Sequence, residues 1–206
     1  MGFAMEIKNF LNQLASDGPT PGGGSASAFA GALSASLVAM VACLSVNKGS
    51  LTKKEARDIR RKALTIQRKL HRAIAEDAKS FDSVIASFRL PKRTEKERLH
   101  RGKMIQRAYH QATEVPKRVC ENAAELLESC RILAAKGNPS AWSDIGVAAY
   151  LADAALQGAT LNVKINLAAI RDGSFAGEKL QFVRRLSKKR ERLMSQIEKS
   201  LRLVTK

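Results

Sequence analysis

The stretch DGPTPGGGSASAFAGALSASLVAMVACLSV, residues 17–46, decides the fold of this chain. Pro19 and Pro21 end any preceding helix, because proline lacks an N–H and restricts the residue before it. Ser25 is a favourable N-cap, which predicts a new helix over residues 25–46 whose free N–H groups face the preceding loop. A glycine loop before a helix N-terminus predicts either an anion-binding cradle or a simple turn.

The helix predicted over residues 25–46 consists mainly of Ala, Ser and Gly. Its small residues recur every four positions, which lets another backbone approach closely and predicts a central helix or a subunit contact: Ser27, Gly31, Ala35 and Ala39. The uncharged run over residues 20–47 is long enough to span a bilayer. Its small-residue composition instead predicts burial inside protein, and we expect no membrane partner.

Further helices are predicted along the whole chain. The first covers residues 4–16, and a capping box at Thr52 and Glu55 starts a long one that runs to residue 88. A second capping box at Thr94 and Glu97 starts a basic helix that is kinked or interrupted at Pro116. The two last helices cover about residues 143–170 and the segment that follows residues 172–174.

These patterns predict an all-α fold. No segment shows the alternation of strands, and the chain contains no internal repeat. The helix predicted from residue 52 would be about 55 Å long, whereas a sphere of this chain length is about 43 Å across. We therefore expect one domain over residues 1–206, an elongated up-and-down bundle of long helices, and a homodimer that buries the exposed length.

Composition limits the partners and the compartment. The net charge of +17 predicts an anionic partner, and nucleic acid, a membrane surface or a polyanionic small molecule would satisfy it. Cys43, Cys120 and Cys130 are odd in number and form no CxxC pair, which favours reduced thiols over a disulfide or zinc framework. The first ten residues lack the layout of a signal peptide. We expect a cytoplasmic protein without a metal site.

Polar residues inside apolar helices are the candidate site residues, because burying them unpaired costs on the order of 2 kcal/mol. Asp144 and Asn162 share a helix face but lie about 27 Å apart, and Asn166 follows one turn later. The separation requires a long ligand, sites in different places or subunits, or a bend at Gly158. Asp77 interrupts the apolar stripe of the long helix, which predicts either a proton-transfer group or a structural ion pair.

Three segments in this order resemble the cyclodeaminase/cyclohydrolase family of folate enzymes. They are DGPTPGGGSASAFAGALSASLVAMVA from residue 17, EDAKSFDSVIASFRLPK from residue 76, and KGNPSAWSDIGVAAYLADAALQGATLNVKINL from residue 136. The resemblance extends from the first helix to about residue 172. It implies an all-helical homodimer that acts on tetrahydrofolate one-carbon derivatives, with no metal and no cofactor beyond the folate substrate.

The resemblance also implies the roles of individual residues. It places proton transfer at Asp77 or Asp144, and Lys92 would hold a substrate carboxylate or act as an acid. The residues expected to bind substrate are Gly22, Gly23, Gly24, Ser25, Phe81, Asn138, Asn162 and Asn166. The chain departs from the family pattern at Ala75, Ala78 and Trp142. If an acidic residue at position 75 matters in the family, its absence here implies either that proton transfer rests on Asp77 or that the activity is altered.

The activity expected from the resemblance is hydrolysis of methenyltetrahydrofolate to formyltetrahydrofolate. Cyclisation of formimidoyltetrahydrofolate with loss of ammonia is the alternative, and the sequence does not separate the two. We expect a basic elongated groove for a folate with one or several glutamates. A non-catalytic basic helical protein that binds nucleic acid is the alternative from another class; for an enzyme, nucleic acid would bind only non-specifically.

Overall fold

The computed structural model describes residues 7–204, and within that range the chain is all-α, as predicted. Between residues 7 and 204 there is no β-strand. The helices are α1 (Ile7–Leu14), α2 (Gly23–Leu44), α3 (Lys53–Phe88), α4 (Glu95–Lys136), α5 (Trp142–Ala168) and α6 (Gly173–Val204), with one turn of 3₁₀-helix (Pro139–Ala141) before α5. The 42 residues of α4 span about 63 Å, so the molecule is elongated.

Helices α2 and α3, and three further pairs of neighbouring helices, run antiparallel. Near the start of α2, Ser25 contacts Asp77 of α3, and two turns later Gly31 faces Leu70. Residue numbers therefore rise along α2 as they fall along α3. The same relation holds for α2 with α5, through Ser27 with Gly158 and Ser34 with Ala148. It holds for α4 with α5, through Cys120 with Leu156 and Ala112 with Asn166. It also holds for α5 with α6, through Gly146 with Leu201 and Asp153 with Arg190. The described helices form the predicted up-and-down bundle.

The small-residue helix α2 is the central helix of the bundle, packed against α3, α4 and α5. Its four-residue stripe is buried, with Ala35 fully inaccessible. Gly31 is needed at its position, because an added Cβ would lie 2.9 Å from Leu70 Cδ1. By length and composition alone α2 could also cross a membrane, and half of its most apolar window is buried inside the protein.

Both predicted capping boxes are confirmed. Thr52 Oγ1 accepts from the Glu55 N–H at 3.1 Å, and Glu55 Oε2 accepts from the Thr52 N–H at 2.8 Å. Thr94 and Glu97 repeat the arrangement at the start of α4. The predicted restart near residue 172 is also confirmed, since Asp172 Oδ1 accepts from the Phe175 N–H at the beginning of α6. Residues 4–6 of the first predicted helix lie outside the described residues.

The expectation of an interruption at Pro116 is wrong. Proline has no N–H, so the Ala112 carbonyl one turn earlier loses its helical donor. Asn166 Nδ2 of α5 donates to that carbonyl at 3.0 Å. The buried Pro116 therefore lies inside one unbroken α4, because a side chain of another helix replaces the missing hydrogen bond.

The prediction that Ser25 is the N-cap of α2 is also wrong. The helix begins two residues earlier, at Gly23, and Gly22 occupies the cap position without a side-chain hydrogen bond. Ser25 instead lies in the first turn, fully buried, with its hydroxyl directed at α3.

Candidate functional site

A cavity of about 550 Å³ opens beside the N-terminal end of α2, where α3, α4 and α5 converge. Its volume lies within the range of about 300–1,000 Å³ that is usual for small-molecule sites. Each of the three segments singled out in the sequence contributes residues to its lining. The lining residues are Pro19, Thr20, Gly22, Gly23, Gly24, Asp77, Ser80, Phe81, Val84, Tyr109, Ala112, Asn162, Ile165, Asn166, Ala168 and Ala169.

Asp77 is held against the first turn of α2. Its Oδ2 lies 3.0 Å from Ser25 Oγ, which also lies 3.0 Å from the Ile74 carbonyl oxygen. Gly24 leaves the space that the carboxyl group fills, because a Cβ at residue 24 would come within 2.6 Å of Oδ2 and 2.5 Å of Cγ. The glycine loop therefore brings α2 and α3 close enough to fix one carboxyl group at the edge of the cavity.

The chemistry of Asp77 is set mainly by its burial. Burial raises the pKa of this carboxyl group above its usual value, and hydrogen bonding from Ser25 opposes that rise. Among the described residues that line the cavity, Asp77 is the one side chain of Asp, Glu, Lys or Arg type. A carboxyl group with a raised pKa in a small-molecule cavity is a candidate for proton transfer.

The predicted anion cradle is occupied in part by the protein itself. The N-terminus of α2 carries free N–H groups and the positive end of the helix dipole, and the nearest acidic group is the Asp77 carboxyl. The expected basic groove is not found at this cavity, since no Lys or Arg belongs to its described lining. Within the described lining, the positive end of the α2 dipole is therefore the feature that would attract an anion.

Two asparagines of α5 form the opposite wall. Asn162 Nδ2 donates to the Gly158 carbonyl at 2.9 Å, and Asn166 Nδ2 donates to the Ala112 carbonyl. An added Cβ on Gly23 would lie 3.8 Å from Asn162 Nδ2, so the glycine loop and this amide face each other. With each Nδ2 bound to backbone, the Oδ1 atoms are the polar atoms left to accept from a ligand.

Aromatic rings complete the cavity. Phe81 follows Asp77 by one turn of α3, and its exposure of 41% leaves one side open to a ligand. Tyr109 of α4 lies edge-on to Phe88 at 6.3 Å between ring centroids. Sequence reasoning missed Tyr109 and Ser80, whose hydroxyl donates to the Asp77 carbonyl. Ser80 could have been found from its position one turn after Asp77, whereas no pattern in α4 identifies Tyr109.

The structure brings seven predicted site residues to this cavity: Gly22, Gly23, Gly24, Asp77, Phe81, Asn162 and Asn166. Ser25 lies behind Asp77. The cavity of this chain does not include Lys92, Asn138 or Asp144. Lys92 is exposed in the turn between α3 and α4. Asn138 caps the 3₁₀ turn, accepting from the Ser140 N–H and donating to the Leu44 carbonyl.

Asp144 remains far from the cavity because α5 is one continuous helix. It lies in the first turn of α5, and eighteen residues separate it from Asn162, or about 27 Å. The predicted bend at Gly158 therefore does not join the two. Within residues 7–204, no group of three or more His, Cys, Asp or Glu side chains is arranged to hold a metal ion.

Comparison with known proteins identifies relatives over most of the chain. A methenyltetrahydrofolate cyclohydrolase from Methylorubrum extorquens is 41% identical over 177 residues, which cover 85% of each chain. The formimidoyltransferase-cyclodeaminase of Gallus gallus is 34% identical over 184 residues, and the chain spans 33% of that protein.

The fold comparison agrees with the sequence comparison. The crystal structure of formiminotetrahydrofolate cyclodeaminase from Thermotoga maritima matches with a TM-score of 0.88 and 27% identity, covering 98% of both chains. The model of the formiminotransferase-cyclodeaminase family matches residues 6–185, which include every segment that forms the cavity. The chain belongs to the formiminotransferase-cyclodeaminase family.

Proposed function

We propose that this protein is a folate one-carbon enzyme that hydrolyses methenyltetrahydrofolate to formyltetrahydrofolate. The relative from Methylorubrum extorquens, named for this activity, supports the choice of substrate. The observation that carries the proposal is Asp77, a half-buried carboxyl group with a raised pKa at the edge of a cavity of about 550 Å³.

Hydrolysis requires one group that first accepts and then returns a proton. The ionised Asp77 carboxylate accepts a proton from water as the water oxygen bonds to the electron-poor amidinium carbon. The resulting carboxylic acid gives this proton to the ring nitrogen as the ring C–N bond breaks, while the hydroxyl proton of the adduct passes to solvent. The sum is one water consumed and one proton released. A raised pKa makes the carboxylate a stronger base and brings its pKa closer to the working pH, so that one group can serve as base and then as acid.

The remaining cavity residues bind and orient the substrate. The Oδ1 atoms of Asn162 and Asn166 accept from the pterin or amide N–H groups, and Phe81 with Tyr109 contacts the planar rings. The residues Gly22, Gly23 and Gly24 present backbone N–H groups to an anionic part of the folate. No cofactor beyond the tetrahydrofolate is required, and a polyglutamate tail would extend onto the basic outer surface.

Lys92, Asn138 and Asp144 cannot fill their predicted roles from within the cavity of their own chain. None of the three lines the cavity of this chain, so each would act on the substrate only from a second subunit or along a long ligand. Asp77 is therefore the primary candidate for proton transfer.

Cyclisation of formimidoyltetrahydrofolate with release of ammonia is the second candidate activity. The structural match to the cyclodeaminase of Thermotoga maritima supports it. The same cavity would serve, because both reactions pass through a tetrahedral centre at the same carbon. Asp77 would accept the proton of the attacking nitrogen and return it to the amino group, which leaves as ammonia when its C–N bond breaks.

Assaying purified protein on both substrates tests the proposal. The methenyl group has a chromophore, so hydrolysis lowers its absorbance and cyclodeamination raises it. We expect the absorbance of methenyltetrahydrofolate to fall faster with the wild type than with Asp77→Asn by about 100-fold or more. No turnover of either substrate by the wild type would overturn the proposal.

We also propose a homodimer formed through the outer faces of α2 and α5. Large apolar side chains are exposed on these two neighbouring helices, and exposed apolar surface that forms a large patch marks an interaction site. They are Leu33, Met40, Leu44, Trp142, Val147, Tyr150, Leu161 and Ile165. Sedimentation should show a dimer that Leu161→Glu dissociates; a wild-type monomer would refute it.

We also propose a cytoplasmic location and no specific partner besides the folate and a second subunit. The free thiols of Cys43, Cys120 and Cys130 suit the reducing cytoplasm, and a membrane plays no part in the proposed function. Nucleic acid would bind only non-specifically, through the +17 charge. Such binding should fall steeply with salt and be insensitive to base sequence.

A further inference from the structure

Ser25 holds one hydroxyl proton between two acceptors. Its Oγ lies 3.0 Å from Oδ2 of Asp77 and 3.0 Å from the carbonyl oxygen of Ile74. A hydroxyl donates one hydrogen bond at a time but can also accept. Both contacts are therefore hydrogen bonds at once only when Asp77 is protonated and donates to Ser25, while Ser25 donates to Ile74.

When Asp77 is ionised, the same atoms support a different pattern. The Ser25 hydroxyl then turns to donate to the carboxylate, because a hydrogen bond to a charged acceptor is stronger than one to a carbonyl. The Ile74 carbonyl lies within α3 and keeps the helical bond from the Ala78 N–H. Neither state leaves a buried polar atom of this group without a partner.

We propose that Ser25 is a positioning residue whose hydroxyl stays hydrogen-bonded to Asp77 in both protonation states by reversing the direction of one hydrogen bond, beside the bond from its own backbone N–H. Its role in turnover rests on the proposed function, in which Asp77 alternates between base and acid. This differs from the substrate-binding role expected from the sequence, because Ser25 is fully buried and does not belong to the described lining of the cavity.

The surroundings of Asp77 isolate this pair from other titrating groups. From α2 it meets Gly24 and Ser25, and from α5 the amides of Asn162 and Asn166 lie across the cavity. Tyr109 is the titratable side chain that α4 contributes to the cavity. On α3, the adjacent Glu76 is paired with Arg118 at 2.5 Å on the exposed side.

Titration of Asp77 by NMR of isotope-labelled aspartate tests the proposal without requiring turnover. The Asp77 signal is assigned by its loss in Asp77→Asn. In Ser25→Ala, the carboxylate loses the hydroxyl donor but keeps the hydrogen bond from the backbone N–H of residue 25, so its titration midpoint should move to higher pH. Ser34→Ala is the matched control, since Ser34 is a buried serine of the same helix whose hydroxyl donates to the Ala148 carbonyl at 2.7 Å. It should leave the midpoint in place.

In kinetic assays, Ser25→Ala should lose activity on the acid side of the pH optimum. The expected loss is about tenfold, because that factor corresponds to one hydrogen bond to a charged group. If Ser25→Ala does not fold, Ser25→Cys, a weaker donor of similar size, should move the midpoint in the same direction by less. An unchanged or lowered midpoint, or an equal rise in Ser34→Ala, would overturn the proposal. A midpoint shift in a protein that turns over no folate would retain the Ser25 pairing and reject the proposed function.

Discussion

Replacing Gly24 by alanine should abolish most activity while leaving the protein folded. The added Cβ would lie within 2.6 Å of Oδ2 and 2.5 Å of Cγ of Asp77. Ordinary contact requires about 3.5 Å, so the carboxyl group must move by about 1 Å. A misplacement of that size costs about 100-fold in rate when the group takes part in the reaction. We therefore expect kcat for the folate substrate to fall by about 100-fold.

The effect of the same change on stability should be small. Alanine is favoured over glycine inside a helix by about 1 kcal/mol, whereas crowding a packed site costs about 1–3 kcal/mol. The difference is a net cost of about 0–2 kcal/mol, so Tm should fall by no more than about 8 °C. Thermal unfolding measured beside the kinetic assay separates a displaced Asp77 from a damaged fold.

Gly177→Ala provides the matched control for Gly24→Ala. Gly177 also lies in a helix, and a Cβ there would meet nothing within 4 Å. This variant should keep wild-type kcat. If Gly24→Ala keeps kcat within about threefold of the wild type, the reasoning that ties activity to the position of Asp77 is refuted.

Three further predictions concern stability. Because burial raises the folded-state pKa of Asp77, the ionised carboxylate destabilises the fold as pH rises through that pKa. At pH values above that pKa, Asp77→Asn should therefore have a higher Tm than the wild type, and in acid this difference should disappear. An equal shift in Tm at all pH values would contradict the prediction. Gly158→Ala should cost about 1–3 kcal/mol in denaturant unfolding, because its Cβ would clash with Ser27 Oγ, and Ser27→Ala should recover most of that loss; no recovery would argue against the clash. Asn166→Ala should lower the free energy of unfolding by about 1 kcal/mol in the wild type. It should cost less in the Pro116→Ala background, where a backbone N–H again donates to the freed carbonyl. Additive costs in the double-mutant cycle would contradict that hydrogen bond.

The sequence was sufficient to predict the helices, and local signals mark the starts of α3 and α4, although not that of α2. The capping boxes at Thr52 and Thr94 each place a donor and an acceptor three residues apart, so the chain itself specifies where α3 and α4 begin. The small-residue stripe likewise predicted a central helix. The absence of an interruption at Pro116 could not be predicted, because the compensating hydrogen bond comes from Asn166 on another helix and no local pattern contains that contact.

The site was less predictable because it depends on the registers of four helices. The resemblance identified Asp77, Asn162 and Asn166 as candidate site residues, and all three line one cavity. Periodicity alone could not pair Ser25 with Asp77, since 52 residues separate them. Tyr109 gave no signal because its neighbours in α4 form an ordinary helical pattern.

Determining the structure with bound folinic acid, a reduced folate that carries a formyl group, tests the central claim most directly. We predict that the pterin occupies the cavity between α2 and α5, with the one-carbon group within hydrogen-bonding reach of the Asp77 carboxyl. Folinic acid bound elsewhere in a catalytically active protein, with Asp77 closed off from it, would contradict this account.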